Sequence, residues 1–149
     1  MSADLQQRLL ALLSRREYSR AELVRRFSGD VDADELAALL DNFAERGWQS
    51  DLRFAQAWIK SHASRHGRLR LIYDLKSRGI RADLIQTALA DYAETEHEDG
   101  DSEYQRAHAV WQKKFRAPPQ DPKEYARHAR FLAARGYSGE LIRRVLAGG

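Results

Sequence analysis

The sequence predicts an all-α protein, an elongated array of three tandem three-helix repeats. Three observations carry that expectation. Alanine and leucine supply 40 of the 149 residues, whereas Val, Ile and Thr supply 11, a balance that favours helix over sheet. All three prolines fall within residues 118–122, so the rest of the chain carries no proline to break a helix. A helix-stop signature recurs along the chain, as stacked helical units require. Much of the apolar content is alanine, which buries little area. Thin stacked units therefore suit the composition better than one thick core.

The elements follow from apolar spacing and end signals. Leu5, Leu9, Leu12 and Leu13 mark a first helix running to about Arg16. Ser19-Arg20-Ala21-Glu22 is a capping box, in which each side chain answers a free backbone N–H. The helix behind it carries Leu23, Val24 and Phe27 and stops near Ser28-Gly29. A third starts after Asp32, presents Leu36, Leu39, Leu40 and Phe43, and ends at Arg46-Gly47. Ser50 or Asp51 caps a fourth, with Phe54, Ala55, Trp58 and Ile59 inward, and Gly67 breaks it. The fifth carries Leu69, Ile72 and Leu75 and ends at Arg78-Gly79. The sixth carries Leu84, Ile85, Ala88, Leu89 and Tyr92. Residues 94–103 hold six acidic side chains and read as a solvated linker or a frayed helix end. Tyr104, Ala107, Trp111 and Phe115 mark the seventh helix, and Ala117–Pro122 breaks the chain. The eighth carries Tyr125, Ala129 and Leu132 and ends at Arg135-Gly136; the ninth carries Leu141, Ile142, Val145 and Leu146.

The signature is a helix stop, an apolar staple and a new amphipathic helix. It reads Arg46-Gly47-Trp48 with Leu52, Arg78-Gly79-Ile80 with Leu84, and Arg135-Gly136-Tyr137 with Leu141. Arg16-Glu17-Tyr18 with Leu23 is a degenerate copy. The simplest parse is three units at 4–47, 50–95 and 101–147. Each is too small to bury its own face, so neighbours must stack.

The net charge of +3 hides strong segregation. Residues 1–51 balance at −3, 52–81 at +7, 82–103 at −8 and 104–149 at +7. Arginine supplies 20 of the 25 basic residues, and its planar fork suits phosphate and carboxylate. Two basic blocks around an acidic one point to a polyanionic or mixed-charge partner. The absence of cysteine removes disulfides, thiolate nucleophiles and cysteine-ligated zinc. No signal-peptide pattern opens the chain and no apolar run approaches a membrane span. A cytoplasmic monomer without membrane contact is expected.

His62 and His66 share a helix face but lack a neighbouring glutamate and sit among basic groups, so no metal is expected. His97, His108 and His128 have no partner in sequence. No Gly-rich phosphate loop or nucleophile elbow is present. No catalytic residue and no cofactor are expected, and the chain reads as a non-enzyme. The second and third helices could mimic a helix-turn-helix. The would-be reading helix carries Asp34, Glu35, Asp41 and Glu45, which a phosphate-lined groove repels. Trp48, Trp58 and Trp111 fall on apolar stripes or at the staple, which favours packing over base stacking.

These residues resemble the RecX family, bacterial modulators of the RecA recombinase. The first matching run is Leu12-Leu13-Ser14-Arg15-Arg16-Glu17-Tyr18-Ser19 with Glu22-Leu23. The second comprises Gly47-Trp48, Asp51-Leu52-Arg53-Phe54-Ala55, Gly67, Arg70, Leu75 and Arg78-Gly79-Ile80. The third comprises Arg130-Phe131-Leu132, Arg135-Gly136-Tyr137, Ile142 and Val145-Leu146. The resemblance implies three tandem three-helix repeats. It also implies a protein that lodges in the groove of RecA–DNA filaments and inhibits RecA's ATPase, strand exchange and coprotease activities. It offers no catalytic residues.

A filament groove would present acidic protein surface and DNA phosphate together, so the basic blocks should face it. Candidate partner contacts are Arg53, Lys60, Arg65, Arg68, Arg70 and Lys76, then Lys113, Lys114, Arg116, Arg127, Arg130, Arg143 and Arg144. Charge reversal of Arg68, Arg70 and Lys76 should abolish RecA inhibition. Arg46, Arg78 and Arg135 are left out, because their place before the C-cap assigns them to ending helices. The partner expected is the RecA filament, with direct or indirect contact to single-stranded DNA. The alternatives are non-specific nucleic-acid binding by the same blocks without RecA, and a scaffold unrelated to DNA.

Overall fold

The computed structural model describes residues 2–99 and 102–148. Those residues form nine helices and no strand. They are α1 (Ser2–Leu13), α2 (Arg20–Phe27), α3 (Ala33–Glu45), α4 (Asp51–His62), α5 (Arg68–Ser77), α6 (Ala82–Asp99), α7 (Glu103–Phe115), α8 (Pro122–Ala134) and α9 (Gly139–Gly148). Among the described residues no helix is long and apolar enough to cross a membrane.

The helix starts are set by side chains that accept the first free N–H groups. The capping box at α2 is complete: Ser19 Oγ accepts from the Glu22 N–H, and the Ser19 N–H donates to Glu22 Oε1 at 3.0 Å. Ser50, not Asp51, caps α4, accepting from the Arg53 N–H at 3.1 Å. Asp32, Ser102 and Asp121 cap α3, α7 and α8 in the same way. Pro122 does not merely break the chain. It opens α8, where its missing N–H costs nothing.

The contacts divide the chain into two compact units. The first comprises Met1–Trp58 with Leu75–Ala88, the second Ile59–Asp74 with Leu89–Gly149. In the first unit Leu5, Leu9, Leu23, Phe27, Leu36, Leu40 and Phe43 form one core. In the second, Ala107, Trp111, Leu132, Tyr137, Leu141, Ile142, Val145 and Leu146 form another. Leu75 and Leu132 are both fully buried. Truncating either to alanine is expected to cost about 2–5 kcal/mol. Chemical denaturation checks this, and unchanged midpoints for both variants would show that the wrong faces are assigned inward.

The Arg-Gly turns do more than stop helices. In the first unit Ser19 Oγ donates to the Arg78 carbonyl at 2.8 Å, and Gly79 (φ +83°) packs on Ala21 at the start of α2. In the second unit the Gly67 N–H donates to the Arg135 carbonyl at 2.8 Å, and the Leu69 N–H to the Gly136 carbonyl at 3.1 Å. Carbonyls from the α8–α9 turn thereby satisfy free donors at the start of α5. Arg46-Gly47 is different, because a side chain on Gly47 would meet nothing within 4 Å. No neighbour crowds that glycine.

Several expectations are corrected. Helix α1 stops at Leu13 rather than Arg16, and Ser14 Oγ donates back to the Ala11 carbonyl at 2.7 Å. Leu69 is exposed, because α5 turns Leu71 and Leu75 inward instead. Val24 and Tyr125 are also exposed. Trp48 is exposed with its edge against Phe43, and Arg46 covers its ring at 4.8 Å. Trp58 is half-buried, stacked on Phe54 with Arg78 over its ring at 4.0 Å. Of the two readings of the acidic run, the linker gives way to the helix end, since α6 continues to Asp99; Gly100 and Asp101 lie outside the described residues. The side chain of His97 is likewise outside them.

His108 and His128 have partners after all. His108 lies between the rings of Tyr104 and Trp111. His128 is buried, and its Nδ1 accepts from Trp111 Nε1–H at 3.0 Å, while Phe115 stacks on its ring at 3.7 Å. An accepting Nδ1 requires the neutral imidazole. Burial first, and then Arg127, hold the His128 pKa below 6.5, with Glu124 opposing. The neutral form is thus favoured by folding. Its contribution is fully present above the unfolded value of 6.5 and is lost as pH falls through the lower folded value. His66, lowered by its own burial and then by Arg70, acts in the same direction. The melting temperature is expected to fall as the pH drops below 6.5. His128→Gln should flatten that dependence, because glutamine can accept the Trp111 hydrogen bond without titrating.

Candidate polyanion groove

The candidate site is an open groove of about 470 Å³ in the second unit, lined by Ser64, Arg65, Val110, Lys113, Lys114, Phe131 and Arg135. Four of these seven residues are cationic and none is acidic. Arg65 and Ser64 come from the turn between α4 and α5, Val110 and both lysines from α7, and Phe131 and Arg135 from the end of α8. Lysines in the last turn of α7 also complement the negative end of that helix.

Phe131 organises the floor. The Arg135 guanidinium lies 5.0 Å from its centroid and the Lys114 Nζ 5.9 Å, while Phe115 meets it edge-on at 5.4 Å. Arg135 is anchored twice: its carbonyl accepts from Gly67, and its Nη1 reaches the Arg65 carbonyl at 3.4 Å. A positively charged groove with the Arg135 guanidinium held in place suits phosphate or carboxylate oxygens. The cations already placed over Phe131 favour binding of anions to this wall over base stacking on the ring.

The groove brings together Arg65 from the first basic block with Lys113 and Lys114 from the second. The other sequence candidates are placed apart from it. Arg53 Nε pairs with Glu17 at 3.0 Å, and Arg70 Nε faces both carboxylate oxygens of Asp74 at 3.2 Å. The Arg68 main-chain N–H donates to the Glu103 carboxylate at 2.6 Å. Arg127 lies over Phe115 and Arg144 over Tyr104. Arg116 ends α7 in the left-handed region, at φ +68°. Lys60, Lys76, Arg130 and Arg143 are exposed on α4, α5, α8 and α9.

Arg135 is the groove residue that the sequence assigns elsewhere. Its main chain does belong to the helix end, but its side chain reaches over Phe131 into the groove wall. Its place directly before Gly136 carries no sign of that. A mixed pocket in the first unit, lined by Arg20, Ala21, Val24, Arg25, Ser28, Asp51 and Gly79, differs in kind. There Arg20 is answered by Asp41 through its guanidinium and by Asp51 through its N–H. His62 and His66 stack at 5.9 Å, and among the described residues no group of three metal-ligating side chains forms.

Comparison with known proteins agrees with this architecture. Residues 50–89 match the second three-helix domain of RecX and residues 101–146 the third. A regulatory protein RecX from Chromobacterium violaceum is 44% identical over 98% of this chain and 91% of its own length. One from Ralstonia nicotianae is 39% identical over 97% and 87%. Among solved structures, RecX from Lactobacillus salivarius superposes with a TM-score of 0.80 at 14% identity, over 99% of this chain and 95% of that one. A further crystal structure of regulatory protein RecX gives 0.80 at 17% identity, over 97% and 72%. The structural likeness carries the helical fold, and the sequence identity across almost the whole length carries the rest: the chain belongs to the RecX family of regulatory proteins.

Proposed function

We propose that this chain regulates the RecA recombinase by binding its nucleoprotein filament and restraining RecA's ATPase, strand-exchange and coprotease activities. The chain works as three tandem repeats, 4–47, 50–95 and 101–147, and acts by binding rather than by catalysis. The observation that carries the reading is the groove in which Arg65, Lys113, Lys114 and Arg135 converge without an acidic neighbour in its lining. A filament offers both DNA phosphate and protein carboxylate to such a surface. The remaining basic candidates, Arg53, Lys60, Arg68, Arg70, Lys76, Arg116, Arg127, Arg130, Arg143 and Arg144, supply a broader field that steers the encounter.

The test is RecA's DNA-dependent ATPase with increasing amounts of this chain. Inhibition is expected at low salt and should weaken as salt rises, over a range in which the filament itself persists. A pull-down with RecA, with and without single-stranded DNA, separates the reading from its rival. Retention by DNA alone, with no added retention when RecA is present, would favour non-specific nucleic-acid binding instead.

A further inference from the structure

We propose that the groove of the second unit seats a short acidic segment of a partner protein, with an aliphatic side chain of that segment against Val110, beside Phe131, and its flanking carboxylates toward Arg65, Lys113, Lys114 and Arg135. This rests on the reading above, in which the partner is RecA. The lining joins two chemistries in one place. Val110, Lys113 and Lys114 share one face of α7 through their three- and four-residue spacing, and Phe131 and Arg135, four apart, share one face at the end of α8. Val110 and Phe131 are half-buried, and Phe131 packs on the core that holds Trp111 and Leu132. The apolar floor is therefore set by the fold itself, with the Arg135 and Lys114 heads 5.0 and 5.9 Å from the Phe131 centroid. An apolar centre inside a charged rim is the anatomy of a protein interface, and the sign of the rim selects carboxylates on the partner.

Size and locality favour a protein segment over a strand of nucleic acid. A groove of about 470 Å³ lies in the range that takes a drug-sized ligand. Proteins that hold single strands without regard to sequence follow the backbone for about four nucleotides or more and offer open aromatic faces. Here the aromatic ring of the lining already carries two cations. Nor does Arg70, beside the α8–α9 turn, extend the groove into a track, because its head faces the Asp74 carboxylate at 3.2 Å. A strand presents phosphates but no flexible aliphatic side chain for the Val110 floor. An acidic peptide supplies both groups at neighbouring positions.

The experiment follows the fluorescence anisotropy of three probes as the full chain is added at low salt. They are a peptide of aspartates and glutamates around one leucine, the same peptide with serine for that leucine, and oligo(dT) of equal charge. The leucine peptide should bind about tenfold tighter than the serine peptide, as burial of one leucine supplies, and tighter than oligo(dT). Val110→Ser should remove most of that preference, and Val110→Thr, which keeps the branched shape, serves if Val110→Ser folds poorly. Arg65→Gln/Lys113→Gln should weaken both peptides. Leucine and serine peptides bound alike, a preference unmoved by either Val110 variant, or oligo(dT) bound as tightly as the leucine peptide would each overturn this inference. The leucine peptide added to the RecA ATPase assay should also relieve inhibition, and inhibition that it cannot relieve would overturn the assignment of the segment to RecA. A chain that inhibits RecA but shows no peptide preference keeps the regulatory reading and loses this inference. A chain that prefers the leucine peptide but leaves RecA's ATPase untouched loses the regulatory reading, and RecA as the source of the segment, while the acidic-segment seat stands.

Discussion

Replacing Gly136 by alanine is expected to destabilise the second unit by about 3 kcal/mol or more, among the largest single-residue effects in the chain. Two costs add. The residue sits at φ +96°, where an L side chain meets its own carbonyl at a cost of about 1–2 kcal/mol. A Cβ there would also collide with Arg70, lying 2.5 Å from its main-chain nitrogen. The near atoms include backbone, so α5 itself would have to move. Gly47→Ala is the control. It shares the positive φ, at +75°, but its Cβ would meet nothing within 4 Å. Its cost should stay near the conformational penalty of about 1 kcal/mol. Urea denaturation of the two variants separates the terms. Equal costs would show that the α8–α9 turn does not bear on α5 as closely as described.

The combined variant Arg65→Glu/Lys113→Glu/Lys114→Glu is expected to abolish inhibition of RecA's ATPase while leaving the helical spectrum intact. It turns three of the groove's four cations into carboxylates, so a polyanion meets repulsion where it met attraction. Reversal of Arg68, Arg70 and Lys76 should have the smaller effect, because Arg70 is already answered by Asp74. The two ATPase titrations, run side by side at low salt, check both statements. A groove variant that inhibits like the parent would remove the groove from the mechanism. A residual inhibition that no longer depends on salt would instead point to an uncharged contact outside the groove.

Much of the fold is legible in the sequence because its signals are local. The Ser19–Glu22 capping box and the glycines at positions 47, 79 and 136 mark helix ends through chemistry confined to a few neighbouring residues. Apolar stripes place Leu5, Leu40, Leu132 and Val145 correctly for the same reason. Helix α5 misleads because leucines at 69, 71 and 75 with Ile72 allow two apolar faces, and tertiary packing decides between them. The groove was only half legible. Lysine and arginine enrichment points to Arg65, Lys113 and Lys114, but nothing in a linear pattern says that residues 48 positions apart meet. Arg135 reads in sequence as a helix-ending residue alone, whereas the fold gives its main chain and side chain different roles.

The two compact units are interleaved along the chain, and this bears on how the protein emerges from the ribosome. The first unit is completed by Leu75–Ala88, so it has all its parts once about three fifths of the chain has been made. The second is not. Residues 59–74 are synthesised early, yet the carbonyls that answer the first N–H groups of α5 belong to Arg135 and Gly136. Until those residues leave the exit tunnel, the start of α5 lacks its dock and Leu71 lacks the rest of its unit. A nascent chain arrested before the α8–α9 turn should therefore show protease-resistant structure through the first unit while the middle segment stays open to cleavage.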